Sequence, residues 1–198
     1  MFKSLGVYCG GSTRCDKSYV EMAFSLGALL AKKGITLVYG GGNIGLMKAV
    51  ADGAVSEKGN AIGIIPKHLH DVEIGHPHIT ELHIVETMHE RKQKMFELSQ
   101  GFIVLPGGFG TLDETFEILT WKQLALHTKP IVFLNHKGYW NGLKTMVEGM
   151  AKEKFIRDEH LDFFEFSDSH ELALDSLEKN KANYHLKFIG HTDVVTGK

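Results

Sequence analysis

Cysteine is nearly absent: the 198 residues contain only Cys9 and Cys15. Two thiols without a framework spacing exclude a disulfide-stapled scaffold and fit a reducing compartment, so a cytoplasmic location is expected. Long apolar runs are also missing, and none approaches the length that spans a bilayer. The opening MFKSLGVYCGG lacks the apolar stretch and cleavage site of a secretory signal. Neither sign of charge dominates: 22 Lys and Arg stand against 24 Asp and Glu, a net charge of -2 with neutral histidines. Coating a phosphate backbone needs a dense basic field, so no nucleic-acid partner is expected, and no membrane partner either. What remains, 43% hydrophobic and 23% charged, is the composition of a soluble globular protein. The length suits one compact domain with ample buried core.

The chain has one rhythm, in which short apolar runs alternate with longer helical patterns. Strands are expected over 5–9, 36–39, 61–65, 81–85, 102–105 and 131–135, with a weaker one over 163–166. Runs such as FIVLP and PIVFLN lack polar alternation, which fits strands covered on both faces. Helices are expected over 17–33, 45–58, 88–100, 112–124, 138–152 and 171–180. This alternation implies right-handed crossovers and an α/β fold: a doubly wound, mostly parallel sheet with helices on both faces. Residues 1–180 are expected to form a single domain, followed by a tail over 181–198 with no assigned structure or role. Residues 66–80, with two prolines and four histidines, read as a long functional loop.

In such folds ligands bind beyond the carboxyl ends of the strands. Two loops there are rich in glycine: Gly40-Gly41-Gly42-Asn43-Ile44-Gly45 and Pro106-Gly107-Gly108-Phe109-Gly110-Thr111. Each follows an apolar run and precedes a helical pattern. Glycines let backbone N–H groups approach a phosphate, and the helix start adds partial positive charge. One such loop is often only a tight turn, but two after separate strands point to an anionic ligand. Gly40-x-Gly42-x-x-Gly45 formally matches the dinucleotide fingerprint. That fingerprint expects a carboxylate at the end of the next strand, where this chain has Ile65-Pro66-Lys67. A nicotinamide dehydrogenase is therefore disfavoured. No G-x-x-x-x-G-K-[ST] occurs, which disfavours a P-loop NTPase.

Two charged residues stand out near helix starts. Glu114 has a bland reading, since Thr111-x-x-Glu114 is a capping-box pattern, and so is Thr87-x-x-Glu90. For Glu90 the bland reading is accepted. Arg91 opposes the helix dipole, so an anionic ligand explains it better, with a surface ion pair as the alternative. If the strands before these two helices are neighbours, Arg91 and Glu114 reach one crevice.

These residues also carry a family resemblance. Pro106 through Glu114 reads PGGFGTLDE, which is similar to the PGGxGTxxE signature of the LOG (Lonely Guy) family. The VYCGGS, YGGGNIGLM and MHERK runs, and WKQLALHTKPIVFLN with its following GYW, extend the resemblance over nearly the whole chain. Members are cytokinin riboside 5′-monophosphate phosphoribohydrolases, often mislabelled lysine decarboxylases. The resemblance implies a homodimeric, Rossmann-like enzyme with no metal or redox cofactor. It converts an N6-substituted or plain adenosine monophosphate and water into free base and ribose 5-phosphate.

By the same resemblance Arg91 and Glu114 are the catalytic pair. Lys92, Gly107, Gly108, Phe109, Gly110, Thr111, Leu112, Asp113 and Thr120 fall at substrate-binding positions, as does Glu73 of VEIGHP. Gly41 and Gly42 of the first glycine loop, and Met88, which could touch the base, complete the candidate set. Glycosidic cleavage builds positive charge on the ribose, which a carboxylate at Glu114 would stabilise while activating water. The glycine loop would hold the 5′-phosphate, and Arg91 would clamp phosphate or ribose. The alternative is a nucleotide-binding or sensing protein on the same fold.

The sequence departs from the family at the Cys9-to-Cys15 run and at Lys48, where many members have glycine. His68, His70, His76 and His78 match no zinc spacing and are expected to be solvated loop residues. Cys9 is expected to be packing. A lysine decarboxylase would need a Schiff-base lysine, and nothing singles one out.

Overall fold

The computed structural model describes residues 2–73 and 75–187, with the backbone alone at 72–73 and 181–187. The apolar runs become strands β1 (Ser4–Tyr8), β2 (Thr36–Tyr39), β3 (Ala61–Pro66), β4 (Glu81–Val85), β5 (Phe102–Val104), β6 (Ile131–Leu134) and β7 (Glu165–Ser167). They form one sheet in the order β4-β3-β2-β1-β5-β6-β7, with every pairing parallel. The helices are α1 (Lys17–Lys32), α2 (Gly45–Ser56), α3 (Lys67–Glu73), α4 (Met88–Leu98), α5 (Phe109–Gln123), α6 (Asn141–Lys152) and α7 (His170–Lys187).

Alternation along the strands explains why these runs look uniformly apolar. Leu37 and Tyr39 face one core while Val38 faces the other. Ile103 likewise opposes Phe102 and Val104. Successive side chains point to opposite faces, and here both faces are covered. The first core packs Leu26, Leu30, Val50, Leu174 and Leu177 from α1, α2 and α7. The second packs Met95, Ile118 and Trp140 from the α4–α6 side.

Most strand boundaries fall within a residue or so of expectation. Larger differences lie where local signals compete. Residues 66–80 are not one long loop: β3 runs through Pro66 and α3 follows at once. A proline that ends a strand does not prevent a helix from starting behind it. The expected strand over 163–166 sits later, because the 3-10 turn Asp158–Phe163 takes its first residue. Helix α7 continues past 180 to Lys187, and residues 188–198 of the expected tail lie outside the described residues.

The order places β1 at the topological switch point, with β2 on one side and β5 on the other. From β4, at the edge, the chain crosses the sheet through α4, which packs over β3, β2 and β1 before β5 docks. A crevice therefore opens beyond the carboxyl ends of β1, β2 and β5.

Candidate active site

The crevice is a cleft of about 570 Å³. Its lining comes from the segment after β1 (Cys9 to Ser12), from Gly40 after β2, and from Pro106 to Gly108 after β5. Met47, Leu69 and Met88 add apolar surface, while Arg91, Thr111 and Glu114 add polar groups.

Helix α5 begins at Phe109 with Gly108 as its N-cap, and no side chain caps it. The capping-box reading of Thr111 and Glu114 is thus overturned. Glycine is accepted at the N-cap and lets the helix start earlier, which puts Glu114 in the second turn. The first N–H groups of a helix have no intrahelical partner, so this end offers unpaired donors to the cleft. Gly107 is required by close approach. A Cβ there would lie 2.0 Å from Thr111 Oγ1 and 2.9 Å from the Gly10 nitrogen. At α4 half of the expected capping box forms: Thr87 Oγ1 accepts from the Glu90 N–H at 3.1 Å, while the Glu90 carboxylate accepts from the Glu86 N–H at 2.9 Å, one residue before the N-cap.

Arg91 and Glu114 meet at 3.1 Å, with side chains only 9% and 6% exposed. The pair is buried, not a surface pair. The preceding strands β4 and β5 are not neighbours, so the expected route was wrong. The two side chains meet because α4 spans the sheet. Arg91 Nε donates to the Ile64 carbonyl at 3.2 Å and Nη2 to the Gly40 carbonyl at 3.3 Å. A Cβ at Gly40 would sit 1.9 Å from Nη2, so the missing side chain admits the guanidinium. Burial lifts the Glu114 carboxyl above its usual range. Arg91 pulls it back part of the way, and Asp113 pushes it up. Burial also pushes the Cys9 thiol well up, which fits the expected packing role and leaves little thiolate.

The other candidates divide. Gly107, Gly108, Gly110, Thr111 and Met88 line the cleft with the pair. Lys92 is buried beside it but braces α4 to α5, at 3.1 Å from both Asp113 and Glu117. Burial pulls its ammonium down, yet those two carboxylates outweigh burial and hold it above the ordinary lysine value. Phe109 is 93% exposed, Asp113 and Thr120 are exposed, and Leu112 packs on the second core. Gly41 accepts the His76 N–H and Gly42 bridges to Gly75, so both anchor the segment after α3 outside the cleft lining. The Glu73 side chain lies outside the described residues.

His76 is not solvated. It is buried and shares a 2.9 Å hydrogen bond with Asp52, which also pairs with Lys48. Lys48 is thereby turned along α2, while its neighbour Met47 lines the cleft. Gly10 and Gly11, within the Cys9-to-Cys15 run that departs from the family, line the cleft after the strand at the switch point. Tyr19 and Tyr139, not among the sequence candidates, also reach the cleft, from α1 and from the segment after β6.

Comparisons with known proteins follow the same line. The family model described as "Possible lysine decarboxylase" matches residues 47–177. A cytokinin riboside 5′-monophosphate phosphoribohydrolase of Rhodococcoides fascians is 43% identical over 155 residues, covering 78% of this chain and 78% of that protein. One of Arabidopsis thaliana is also 43% identical over 155 residues, covering 78% of this chain and 73% of its own. Among solved structures, the molybdenum cofactor carrier protein of Chlamydomonas reinhardtii matches with a TM-score of 0.71 at 19% identity, over 92% of this chain and 99% of that one. A molybdenum cofactor binding protein of Rippkaea orientalis matches with a TM-score of 0.67 at 21% identity, over 90% and 97%. At such identity the solved structures establish the fold alone.

Proposed function

Because the chain belongs to the LOG (Lonely Guy) family, we propose that it hydrolyses the N-glycosidic bond of a purine nucleoside 5′-monophosphate of the AMP or N6-substituted AMP type. The bond from the ribose anomeric carbon to the base nitrogen breaks, and its electron pair leaves with the nitrogen. Water oxygen adds to the carbon and one water proton ends on the base, giving ribose 5-phosphate and free purine. The observation that carries this reading is the buried Arg91–Glu114 pair, set at the switch point across from the uncapped start of α5.

The amides of the glycine loop take the 5′-phosphate, helped by the helix dipole. Holding the remote phosphate places the sugar over Glu114, and that fixed geometry accelerates the chemical step. The Glu114 carboxylate stabilises the cationic sugar and takes the proton from attacking water, a role worth roughly 10²–10⁴ in rate. Arg91, anchored on two strand-end carbonyls, favours the ionised form of Glu114 against the burial that raises its carboxyl. Met47, Leu69 and Met88 form an apolar wall for the base.

Lysine decarboxylation fits these residues poorly. It needs a lysine amine for a pyridoxal Schiff base, and among the described residues no lysine lines the cleft. A homodimer is proposed from the exposed apolar side chains Phe109, Leu124 and Leu126, on and just after α5. Thr120 lies along the same helix, where a second copy's cleft would explain its place at a substrate-binding position. Sedimentation measures that state, and a monomer at micromolar concentration would count against it. For the reaction, incubation with AMP and isopentenyl-AMP should release free base from both or one of them. Tight nucleotide binding with no base released would make the protein a nucleotide holder instead.

A further inference from the structure

Resting on that reading, we infer that Tyr139 is a positioning residue that sets the phosphate-binding amides of the glycine loop. After β6 the chain makes a 3-10 turn over His136–Gly138, in which Lys137 (φ 54) and Gly138 (φ 70) both take left-handed conformations. That is unfavourable for a lysine. The turn is held from outside. Lys137 Nζ lies 3.1 Å from Asp16, the N-cap of α1, which also accepts the Ser18 N–H. Tyr19 packs edge-on against both His136 and Tyr139, with ring centres 5.4 and 5.8 Å apart.

This arrangement carries Tyr139 to the rim of the cleft, where its hydroxyl donates to the Gly107 carbonyl at 2.7 Å. In a trans peptide the C=O and N–H point opposite ways. Tethering the Gly107 oxygen therefore fixes the direction of the Gly108 N–H in the same plane. The carbonyl before it, from Pro106, accepts the Gly10 N–H at 3.1 Å. Two successive carbonyls of the loop are thus drawn off by neighbouring segments, and the amide side is left for the anion. Gly107 is closely packed, but at Gly108 the backbone is open: among the described residues, a Cβ there would meet nothing within 4 Å. Glycine crosses conformational regions readily, so an untethered loop would sample other amide directions.

The test is Tyr139→Phe, which keeps the ring and removes only the donor. Wild type and variant are titrated with ribose 5-phosphate and with adenosine, and AMP kinetics are run in parallel. Expected are a five- to tenfold loss of ribose 5-phosphate affinity, about the value of one hydrogen bond, and unchanged adenosine affinity. kcat/KM for AMP should fall by at least the same factor, with kcat itself lowered, because the phosphate grip also positions the sugar. Equal ribose 5-phosphate affinity in the two proteins overturns the inference. So does an equal loss for ribose 5-phosphate and adenosine, which would mean a collapsed cleft. Ribose 5-phosphate binding requires no cleavage. A wild type that binds it but releases no base refutes the hydrolase reading and leaves the Tyr139 comparison standing; one that binds neither refutes both.

Discussion

Two buried cations can be set side by side. Arg91 sits at the carboxyl end of the sheet, faces a carboxylate at 3.1 Å and borders an open cleft. Lys122, fully buried on α5, donates to the carbonyls of Phe163 at 2.7 Å and Lys129 at 3.2 Å and lies outside the cleft lining. Burial drops Lys122 to about 7, and nearby Lys129 to about 8. By perturbation alone Lys122 looks like the more reactive group. The difference teaches that a shifted proton equilibrium marks a functional site only where a reactant can reach it. Lys122 ties α5 to the segment before β7, and Arg91 lines the cleft.

The comparison breaks if the two ends respond alike to substitution. The largest contrast is in turnover: Glu114→Gln should lower kcat by about 10²–10⁴ while AMP still binds, whereas Lys122→Met should leave kcat within about twofold. Single-turnover assays against AMP measure both, and retained activity in Glu114→Gln would remove the carboxylate from the mechanism. Next, Arg91→Ala strands a buried carboxylate and should cost about 3 kcal/mol in urea unfolding, with activity lost as Glu114 protonates.

Lys122 sharpens the contrast through pH. Between about 7 and the ordinary lysine value near 10.4, the unfolded chain keeps a proton that the folded chain releases. Wild-type stability should therefore rise with pH across that window relative to Lys122→Met, by at most about 1.4 kcal/mol per unit, and be lost as pH falls through 7. A flat difference in chemical denaturation from pH 7 to 10 would mean that the carbonyls keep Lys122 charged. The smallest effect is Asp113→Asn. Asp113 pushes the Glu114 carboxyl up, so its removal should move the acid limb of the kcat profile to lower pH. An unmoved limb would detach Glu114 from that titration.

The sheet was legible because its strands are uniform apolar runs, and the catalytic candidates because glycine and charge are conspicuous beside helix starts. The path that joins Arg91 to Glu114 was not legible. It depends on α4 crossing three strands, which is a tertiary fact with no local pattern. The start of α5 was misread because Thr111-x-x-Glu114 is a good cap that the glycine N-cap pre-empted. His76, Lys92 and Lys122 carry polar side chains into the interior, and nothing in their neighbours distinguishes them from solvated residues. Tyr139 was hidden for another reason: its partner is a carbonyl, and carbonyls leave no mark on composition.

The crossing of α4 has a consequence for how the molecule assembles. β1 to β4 can pair among themselves, but β1 keeps a bare edge until β5 docks there. Docking of β5 beside β1 is a long-range event that brings Glu114 to Arg91, since loop closure must precede the contact. Regain of turnover during refolding therefore reports the joining of the two halves of the sheet, and a half-formed sheet would show secondary structure without catalysis.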